Sequence, residues 1–172
     1  MTAQNMFVTG PPRCGKSTFI ENLIVQIEKP TTGFFTREIS EQGRRTGFLI
    51  NTLDGNRGVL AHENMKSKFR VGKYGVNLPD IDQIAVPSML PTKQDQIVVV
   101  DEVGKMECFS SLFRRTLMKI LDSDHHVIGS IARKGDPFIQ KIKARDDVLL
   151  VNLSKEKRDA PELFSRLLST LD

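Results

Sequence analysis

The chain has 172 residues, of which 39% are hydrophobic and 27% charged, and its formal net charge is +4. That length predicts a single domain, residues 1–172, with room for a sizeable core. The charge is mixed without a long basic run, which suits polyphosphate ligands and gives no reason to expect a nucleic-acid partner. Wholly apolar runs are only a few residues long, so we predict no signal peptide or membrane span and expect a cytoplasmic protein.

The two cysteines, Cys14 and Cys108, are far apart and lack the spacing of metal ligands. We interpret them as free thiols in a reducing compartment. Aromatic residues are few, with one tyrosine and no tryptophan. A stacking platform for a base would therefore have to use phenylalanine.

The first predicted element is a short buried strand over residues 5–9, which leads into the sequence GPPRCGKS at residues 10–17. This sequence fits the phosphate-binding pattern G-x-x-x-x-G-K-[ST] in full, and glycines at both ends let consecutive N–H groups point at a β-phosphate. Lys16 is placed to reach the β- and γ-phosphates, and Ser17 to bind the Mg²⁺ that bridges them. The predicted nucleotide-binding residues here are Gly10, Pro11, Pro12, Arg13, Cys14, Gly15, Lys16, Ser17 and Thr18.

A helix is predicted directly after this loop. Apolar residues recur at helical spacing, namely Phe19, Ile20, Leu23, Ile24 and Ile27, and Pro30 marks the end of the segment. The N-terminus of such a helix adds partial positive charge to the phosphate site. The alternative is a Gly/Pro turn that opens an amphipathic helix with an exposed lysine. Arg13 stands where glycine is common in such loops; we interpret its side chain as pointing to solvent, and the alternative is that it lies over the phosphates.

The middle of the chain predicts an antiparallel insertion over about residues 33–78. Strands are indicated at 33–39, 45–52 and 58–60, with turns at 41–43 and 54–56 and a further strand near 74–78. After residue 101 the pattern alternates again between helices and strands. A helix striped from Phe109 to Leu121, strands at 127–131 and 148–151, and a terminal helix after residue 161 follow. The fold class is therefore α/β, with a mostly parallel central sheet flanked by helices.

Four apolar residues at 97–100 precede two acids, Asp101 and Glu102. This is typical of a central parallel strand whose carboxyl end opens onto a ligand crevice. We predict that Asp101 binds Mg²⁺ and that Glu102 is the general base for an attacking water. Adjacent acids at a strand end are also ordinary turn residues. Gly104 completes a D-x-x-G match, but the chain lacks the Asn-Lys-x-Asp segment expected of a regulatory GTPase.

Hydrolysis builds negative charge on the phosphates, so a cation besides Lys16 is expected near them. Lys105 is the leading candidate, with a solvated lysine as the alternative. Weaker candidates are Arg37, Arg44, Arg45, Arg133, Lys134 and Arg145. For the base, Asn152 could donate a hydrogen bond to an edge and Arg158 could stack on it; the alternative is a helix cap and surface charge.

Four segments together resemble the THEP1-type nucleoside-triphosphatases over nearly the whole chain. They are the loop at 10–17, residues 33–38 followed by 43–48, residues 70–74, and residues 100–107. The resemblance implies a P-loop fold related to the RecA-like ATPases and Mg²⁺-dependent hydrolysis of ATP, GTP, CTP and UTP with little base preference. By motif position it implies that residues 10–17 bind the phosphates, Asp101 the metal, and Glu102 the water.

Two other functions remain open from the residues. One is a nucleotide or nucleoside kinase, in which the basic stretch from Arg133 to Arg145 acts as a lid and the strand insertion holds the acceptor. The other is a binding module in which slow hydrolysis times the release of a partner. We expect nucleoside triphosphates as ligands and a monomeric chain.

Overall fold

The computed structural model describes residues 4–154, 161–169 and 171. Within them the strands are β1 (Asn5–Thr9), β2 (Thr31–Glu41), β3 (Arg44–Thr52), β4 (Arg57–His62), β5 (Arg70–Val71), β6 (Tyr74–Val76), β7 (Ile97–Val103), β8 (Val127–Ile131) and β9 (Val148–Asn152). The helices are α1 (Lys16–Val25), α2 (Leu78–Asp80), α3 (Val86–Ser88), α4 (Ser111–Leu121), α5 (Pro137–Lys143) and α6 (Pro161–Leu168). A π-helical stretch, Ile81–Ala85, joins α2 to α3, and a 3-10 turn, Glu107–Phe109, precedes α4.

All nine strands form one sheet in the order β5-β6-β4-β3-β2-β7-β8-β1-β9. In one half of the sheet, neighbouring strands pair in parallel, in the order β2-β7-β8-β1-β9. In the other half, neighbouring strands pair antiparallel, in the order β5-β6-β4-β3-β2. β8 therefore lies between β1 and β7, and it brings the carboxyl ends of both strands to one edge of the sheet. The predicted α/β fold with its parallel sheet is confirmed.

Two cores pack on the two faces of the sheet. On β1, Phe7 joins the core that contains α4 and α5, whereas Met6 and Val8 join the core that contains α1 and α6. On β7, Val98 and Val100 share the core of Phe7, and Ile97 and Val99 share the other. Because successive side chains of a strand point to opposite faces, a central strand must be apolar at every position.

The predicted antiparallel insertion forms, but it is continuous with the parallel sheet. β2 pairs antiparallel with β3 and parallel with β7, so it belongs to both halves. The β2–β3 hairpin turns at Gln42 and Gly43, whose φ angles are 50° and 74°. The strand predicted near 74–78 ends at Val76, since Asn77 accepts a hydrogen bond from the Asp80 N–H and begins α2.

We expected the apolar stripe from Phe109 to Leu121 to lie in the core, and two of its residues do not. Phe109 is 38% exposed and Leu112 is 36% exposed, whereas Phe113 and Leu117 are fully buried. The Ser110 hydroxyl accepts a hydrogen bond from the Phe113 N–H at 2.9 Å and starts the helix there. Phe109 thus precedes the helix instead of lying on its buried face.

No helix among the described residues is long and apolar enough to cross a membrane.

Candidate functional site

The loop between β1 and α1 has the backbone of a phosphate cradle. Gly15 caps α1 with a φ of 91° and without a side-chain hydrogen bond, so the first turn presents free N–H groups. A Cβ on Gly10 would lie 2.6 Å from the Leu153 carbonyl oxygen and 2.8 Å from the Cys14 Sγ, so only glycine fits there. Cys14 itself is buried behind the loop, and both cysteines are free thiols, as predicted.

The backbone conformation of Arg13 shows why glycine is common at this position. Its φ of 59° lies in the left-handed region, which side chains other than glycine's rarely adopt. The residue is exposed and lines the mouth of a cavity of about 720 Å³ beside the loop. The arginine therefore keeps the loop conformation at a modest energetic cost of about 1 kcal/mol.

Lys16 and Ser17 point from the start of α1 toward the ends of the neighbouring strands. The Lys16 ammonium donates to the carbonyl oxygens of Gly10 at 3.3 Å and Pro11 at 3.2 Å, so it closes over the loop. The Ser17 hydroxyl donates to Asp101 Oδ2 at 2.5 Å. The loop is thus joined to β7 across β8 by a hydrogen bond between two side chains, 84 residues apart in sequence.

Asp101 is only 2% exposed and is held by two hydroxyl groups. Ser17 donates to one carboxylate oxygen and Ser130, on β8, donates to the other. Burial raises the pKa of Asp101, and the hydrogen bonds from Ser130 and Ser17 oppose that rise. Ser130 was not identified from the sequence, because a serine inside an apolar strand carries no signal of its own. Its role is to fix the carboxylate in one orientation.

Glu102 is partly exposed and lines the same cavity. Burial and the neighbouring charge of Asp101 raise its pKa, and Lys16 opposes the rise. A carboxyl with a raised pKa is a better proton acceptor than an ordinary one, because its pKa is closer to working pH. The assignment of Glu102 as the general base stays a prediction, and a raised pKa is compatible with it.

Glu107 is a second acid at this site that sequence reasoning did not single out. It is 3% exposed, and burial followed by the charge of Glu102 raises its pKa well above the ordinary value. A Cβ placed on Gly104 would lie 2.8 Å from Glu102 Oε1 and 3.0 Å from Glu107 Oε2, so both carboxyl groups border that glycine. Glu107 belongs to the run at 100–107, which carries part of the family resemblance, but the sequence indicated no separate role for it.

The cavity collects most of the predicted site residues. Those that line it are Gly10, Pro12, Arg13, Gly15, Lys16, Ser17, Thr18, Asp101, Glu102 and Lys105. Pro11 and Cys14 belong to the loop but are not among the lining residues, and Asn152 is exposed at the end of β9, paired with Thr9. Arg158 lies outside the described residues, so the base contacts assigned to Asn152 and Arg158 stay predictions.

The predicted cations divide into two groups. Arg37, Arg45, Lys105, Arg133 and Lys134 line the cavity. Arg44 pairs with Glu63 instead, and Arg145 pairs with Asp122 and Asp147, so neither serves the cavity. Arg37 and Arg45 are themselves paired with Glu21 and Glu38. Within the part of the chain that the structure describes, Lys105, Arg133 and Lys134 line the cavity without an ion pair, so their charge is available to an anion.

Replacing Gly104 by alanine is expected to lower kcat by about tenfold or more with little change in stability, because a misplacement of about 1 Å costs up to about a hundredfold. The new Cβ would meet Glu102 Oε1 at 2.8 Å, and the flexible carboxylate would move away. Steady-state phosphate release and the melting temperature of the variant test this. Gly43→Ala is the control for activity, since nothing lies within 4 Å of its Cβ, and its φ of 74° should affect only the melting temperature. Equal activity of both variants would contradict the expected displacement.

Glu107→Gln is expected to become more stable relative to the wild type as pH rises. Since the pKa of Glu107 is higher folded than unfolded, its contribution to stability is full below the unfolded pKa and is lost as pH rises toward the folded pKa. Glutamine does not titrate, so this loss disappears in the variant. Melting temperatures of both proteins between about pH 5 and about pH 8 measure the difference. Parallel curves over that range would show that Glu107 is not protonated in the folded protein.

A phosphate-binding loop after one parallel strand and an acidic pair at the end of another, with one strand between them, define the class of P-loop NTPases. A family model described as NTPase matches residues 5–168. The chain is 41% identical to nucleoside-triphosphatase THEP1 of Thermotoga sp. (strain RQ2), with 96% of this chain and 94% of that protein covered. It therefore belongs to the THEP1 family of nucleoside-triphosphatases.

Human and solved relatives agree with this membership. The chain is 36% identical to the human cancer-related nucleoside-triphosphatase, over 91% of this chain and 92% of the human protein. The crystal structure of THEP1 from Aquifex aeolicus is similar with a TM-score of 0.88 at 30% identity, covering 98% of this chain and 99% of that one. The resemblance seen in the sequence is thus confirmed for family and fold.

Proposed function

We propose that this chain hydrolyses ATP, GTP, CTP and UTP to the diphosphate and phosphate in a Mg²⁺-dependent reaction with little base preference. The coarser statement, that it is a hydrolase of nucleoside triphosphates, follows from its family. The observation that carries the finer proposal is the convergence of Lys16, Ser17, Asp101 and Glu102 on one cavity.

The loop residues bind and orient the triphosphate. N–H groups at the start of α1 face the cavity and hold phosphate oxygens by hydrogen bonds. Lys16 leaves the carbonyl oxygens of Gly10 and Pro11 for the β- and γ-phosphates, because a full negative charge is a stronger partner than a carbonyl. Lys105, which makes no ion pair with another described residue, adds charge as the transition state forms.

Ser17 and Asp101 fit a magnesium site. Their oxygens already lie within hydrogen-bond distance of each other, and oxygen atoms are the ligands that Mg²⁺ prefers. The described residues contain no group of three or more His, Cys, Asp or Glu that could hold a metal. Mg²⁺ needs only one or two protein ligands besides phosphate, which Ser17 and Asp101 can supply. When bound, the ion would neutralise charge on the β- and γ-phosphates.

Glu102 moves the proton in the chemical step. It holds a water molecule by accepting its hydrogen, and the water oxygen forms a bond to the γ-phosphorus. The bond from that phosphorus to the β,γ-bridging oxygen breaks, and the diphosphate leaves. Glu102 takes the proton of the attacking water, which its raised pKa favours.

Two further features support the proposal in its finer form. Low base preference is consistent with Asn152, which is exposed at the end of β9 and is not among the residues that line the cavity. The free cations Lys105, Arg133 and Lys134 belong to the same chain as the loop. We therefore propose that a single chain acts on free nucleotides as a monomer.

Phosphate release from each of the four triphosphates, measured with Mg²⁺ and without any acceptor, tests the proposal. We expect all four rates to lie within about tenfold of each other, which corresponds to about 1.4 kcal/mol of discrimination. Release should fall to background with a chelator and in the Lys16→Ala variant, which controls for contaminating phosphatases. Release from one nucleotide alone, or release that survives chelation, would contradict the proposal.

A further inference from the structure

The wall of the cavity formed by β3 and β6 carries Arg45, Phe48 and Tyr74, which we call the aromatic shelf. The Phe48 and Tyr74 rings meet edge to face, with centroids 5.2 Å apart and planes at 73°. The Arg45 guanidinium carbon lies 5.2 Å from the Phe48 centroid and 5.9 Å from the Tyr74 centroid. The shelf therefore presents the cationic guanidinium of Arg45, which packs against two aromatic rings.

Hydrogen bonds fix Arg45 in one orientation. Its Nε donates to the Tyr74 hydroxyl at 3.1 Å, and its Nη1 donates to Glu38 Oε1 at 2.8 Å. Within the described part of the chain, neither Arg45 Nη2 nor Glu38 Oε2 has a hydrogen-bond partner. The Arg45 side chain is 36% exposed and that of Glu38 43%, and both residues line the cavity, so a donor and an acceptor on this wall are open to a ligand. Such a pair matches the edge of a heteroaromatic base.

The order of strands in the sheet determines on which side of the γ-phosphorus the shelf lies. In the sheet, β7 with Glu102 stands between β1, which bears the phosphate-binding loop, and β3, which bears Arg45 and Phe48. β3 is two strands beyond β7, or about 10 Å at the usual strand spacing. An in-line displacement places the attacking group and the leaving diphosphate on opposite sides of the γ-phosphorus. The shelf is thus on the attacking side, away from the nucleoside of the triphosphate.

We propose that the aromatic shelf binds a second ligand, a nucleoside monophosphate, while the triphosphate occupies the loop. The edge of the base bonds to Arg45 Nη2 and to Glu38, in the plane of the guanidinium. The phosphate reaches the free cations of the cavity, Lys105, Arg133 and Lys134. The inference rests on the proposed function, because Glu102 as the base is what defines the attacking side.

The volume of the cavity is compatible with this arrangement. Single ligand pockets span about 300 to 1,000 Å³, and the phosphate part of a triphosphate fills only a fraction of the 720 Å³ seen here. A site that only activates a water molecule does not require an aromatic wall two strands beyond Glu102, the general base. The wall gives room and chemistry for a planar anionic molecule.

Calorimetric titration of AMP, GMP, CMP and UMP into the full chain tests the proposal. The protein is first saturated with Mg²⁺ and a triphosphate analogue whose β,γ-bridging oxygen is replaced by methylene. We expect at least one monophosphate to bind without releasing the analogue. Arg45→Gln should weaken that binding by about tenfold or more, the fold-change expected for one charged hydrogen bond.

Arg44→Gln is the matched control. Arg44 neighbours Arg45 on β3 but pairs with Glu63 and does not line the cavity, so monophosphate binding should be unchanged. The affinity for the analogue, measured in every variant, reports folding. Glu38→Gln is a second variant expected to weaken monophosphate binding if Arg45→Gln does not fold.

Three outcomes overturn the inference. They are the absence of monophosphate binding to the saturated protein, competition with the analogue, and equal weakening by Arg44→Gln. Phosphate release without monophosphate is measured on the same preparations. If release is intact and monophosphate binding is absent, the inference alone fails. If the wild type releases no phosphate, the proposed function fails, and the placement of the attacking side fails with it.

Discussion

The Glu102→Gln variant is expected to release phosphate about a hundredfold or more slowly than the wild type and to bind triphosphate as tightly. Glutamine keeps the size of the side chain and its place at the end of β7, but it cannot accept a proton. The phosphate contacts come from the loop and Lys16, which the change does not touch. The loss should therefore appear in kcat and leave the dissociation constant unchanged.

Single-turnover phosphate release and a separate binding titration measure the two quantities. Glu28→Gln removes the same charge from an exposed position after α1 and serves as the matched control. Retained release in the Glu102→Gln protein would remove Glu102 from the mechanism. Weakened binding together with slower release would instead indicate that Glu102 holds the ground-state nucleotide or its metal.

The Gly33→Ala variant is expected to lose about 3 kcal/mol or more of folding free energy, through overpacking and left-handed backbone strain. Gly33 has a φ of 115°, and a Cβ there would lie 1.9 Å from the Val99 carbonyl oxygen of β7. That oxygen is backbone in the middle of the sheet, so it cannot turn aside. The ladder between β2 and β7 would have to separate where it joins the two halves of the sheet.

Thermal or urea unfolding measures this loss, which corresponds to a fall in melting temperature of roughly 10 °C. Gly55→Ala is the control, because Gly55 also has a positive φ, 94°, but nothing lies within 4 Å of its Cβ. It should cost about 1 kcal/mol from backbone strain alone. Equal losses in the two variants would mean that the contact with Val99 is relieved without separating the strands.

The sequence by itself determined the family and the fold class, and it predicted the residues of the candidate site. The loop at 10–17 and the acids Asp101 and Glu102 could be predicted because their information is local. A cradle for phosphate requires glycines, lysine and serine at fixed spacing within one turn of chain, and a central strand must be apolar until it reaches the crevice. The structure brings these segments to one cavity, as their places at the carboxyl ends of predicted parallel strands indicated.

Only the tertiary structure decided which distant residues join that core. Ser130 stands alone in an apolar strand, and its importance arises from contact with Asp101. Glu107 belongs to the run at 100–107, but its burial beside Glu102 is visible only in the fold. Among the many basic residues, only their positions in the fold separate those that line the cavity, such as Lys105, from those that do not, such as Arg145.

The aromatic shelf shows the same limit most clearly. Its members Arg45, Phe48 and Tyr74 lie on β3 and β6. These strands are separated from the phosphate-binding loop both along the chain and in the strand order of the sheet. Strand order determines that they face the cavity beyond Glu102, and strand order depends on the balance of long-range packing on both faces of the sheet. Spacing along the chain fixes chemistry within a turn or a strand, whereas the juxtaposition of separate strands is a property of the folded core.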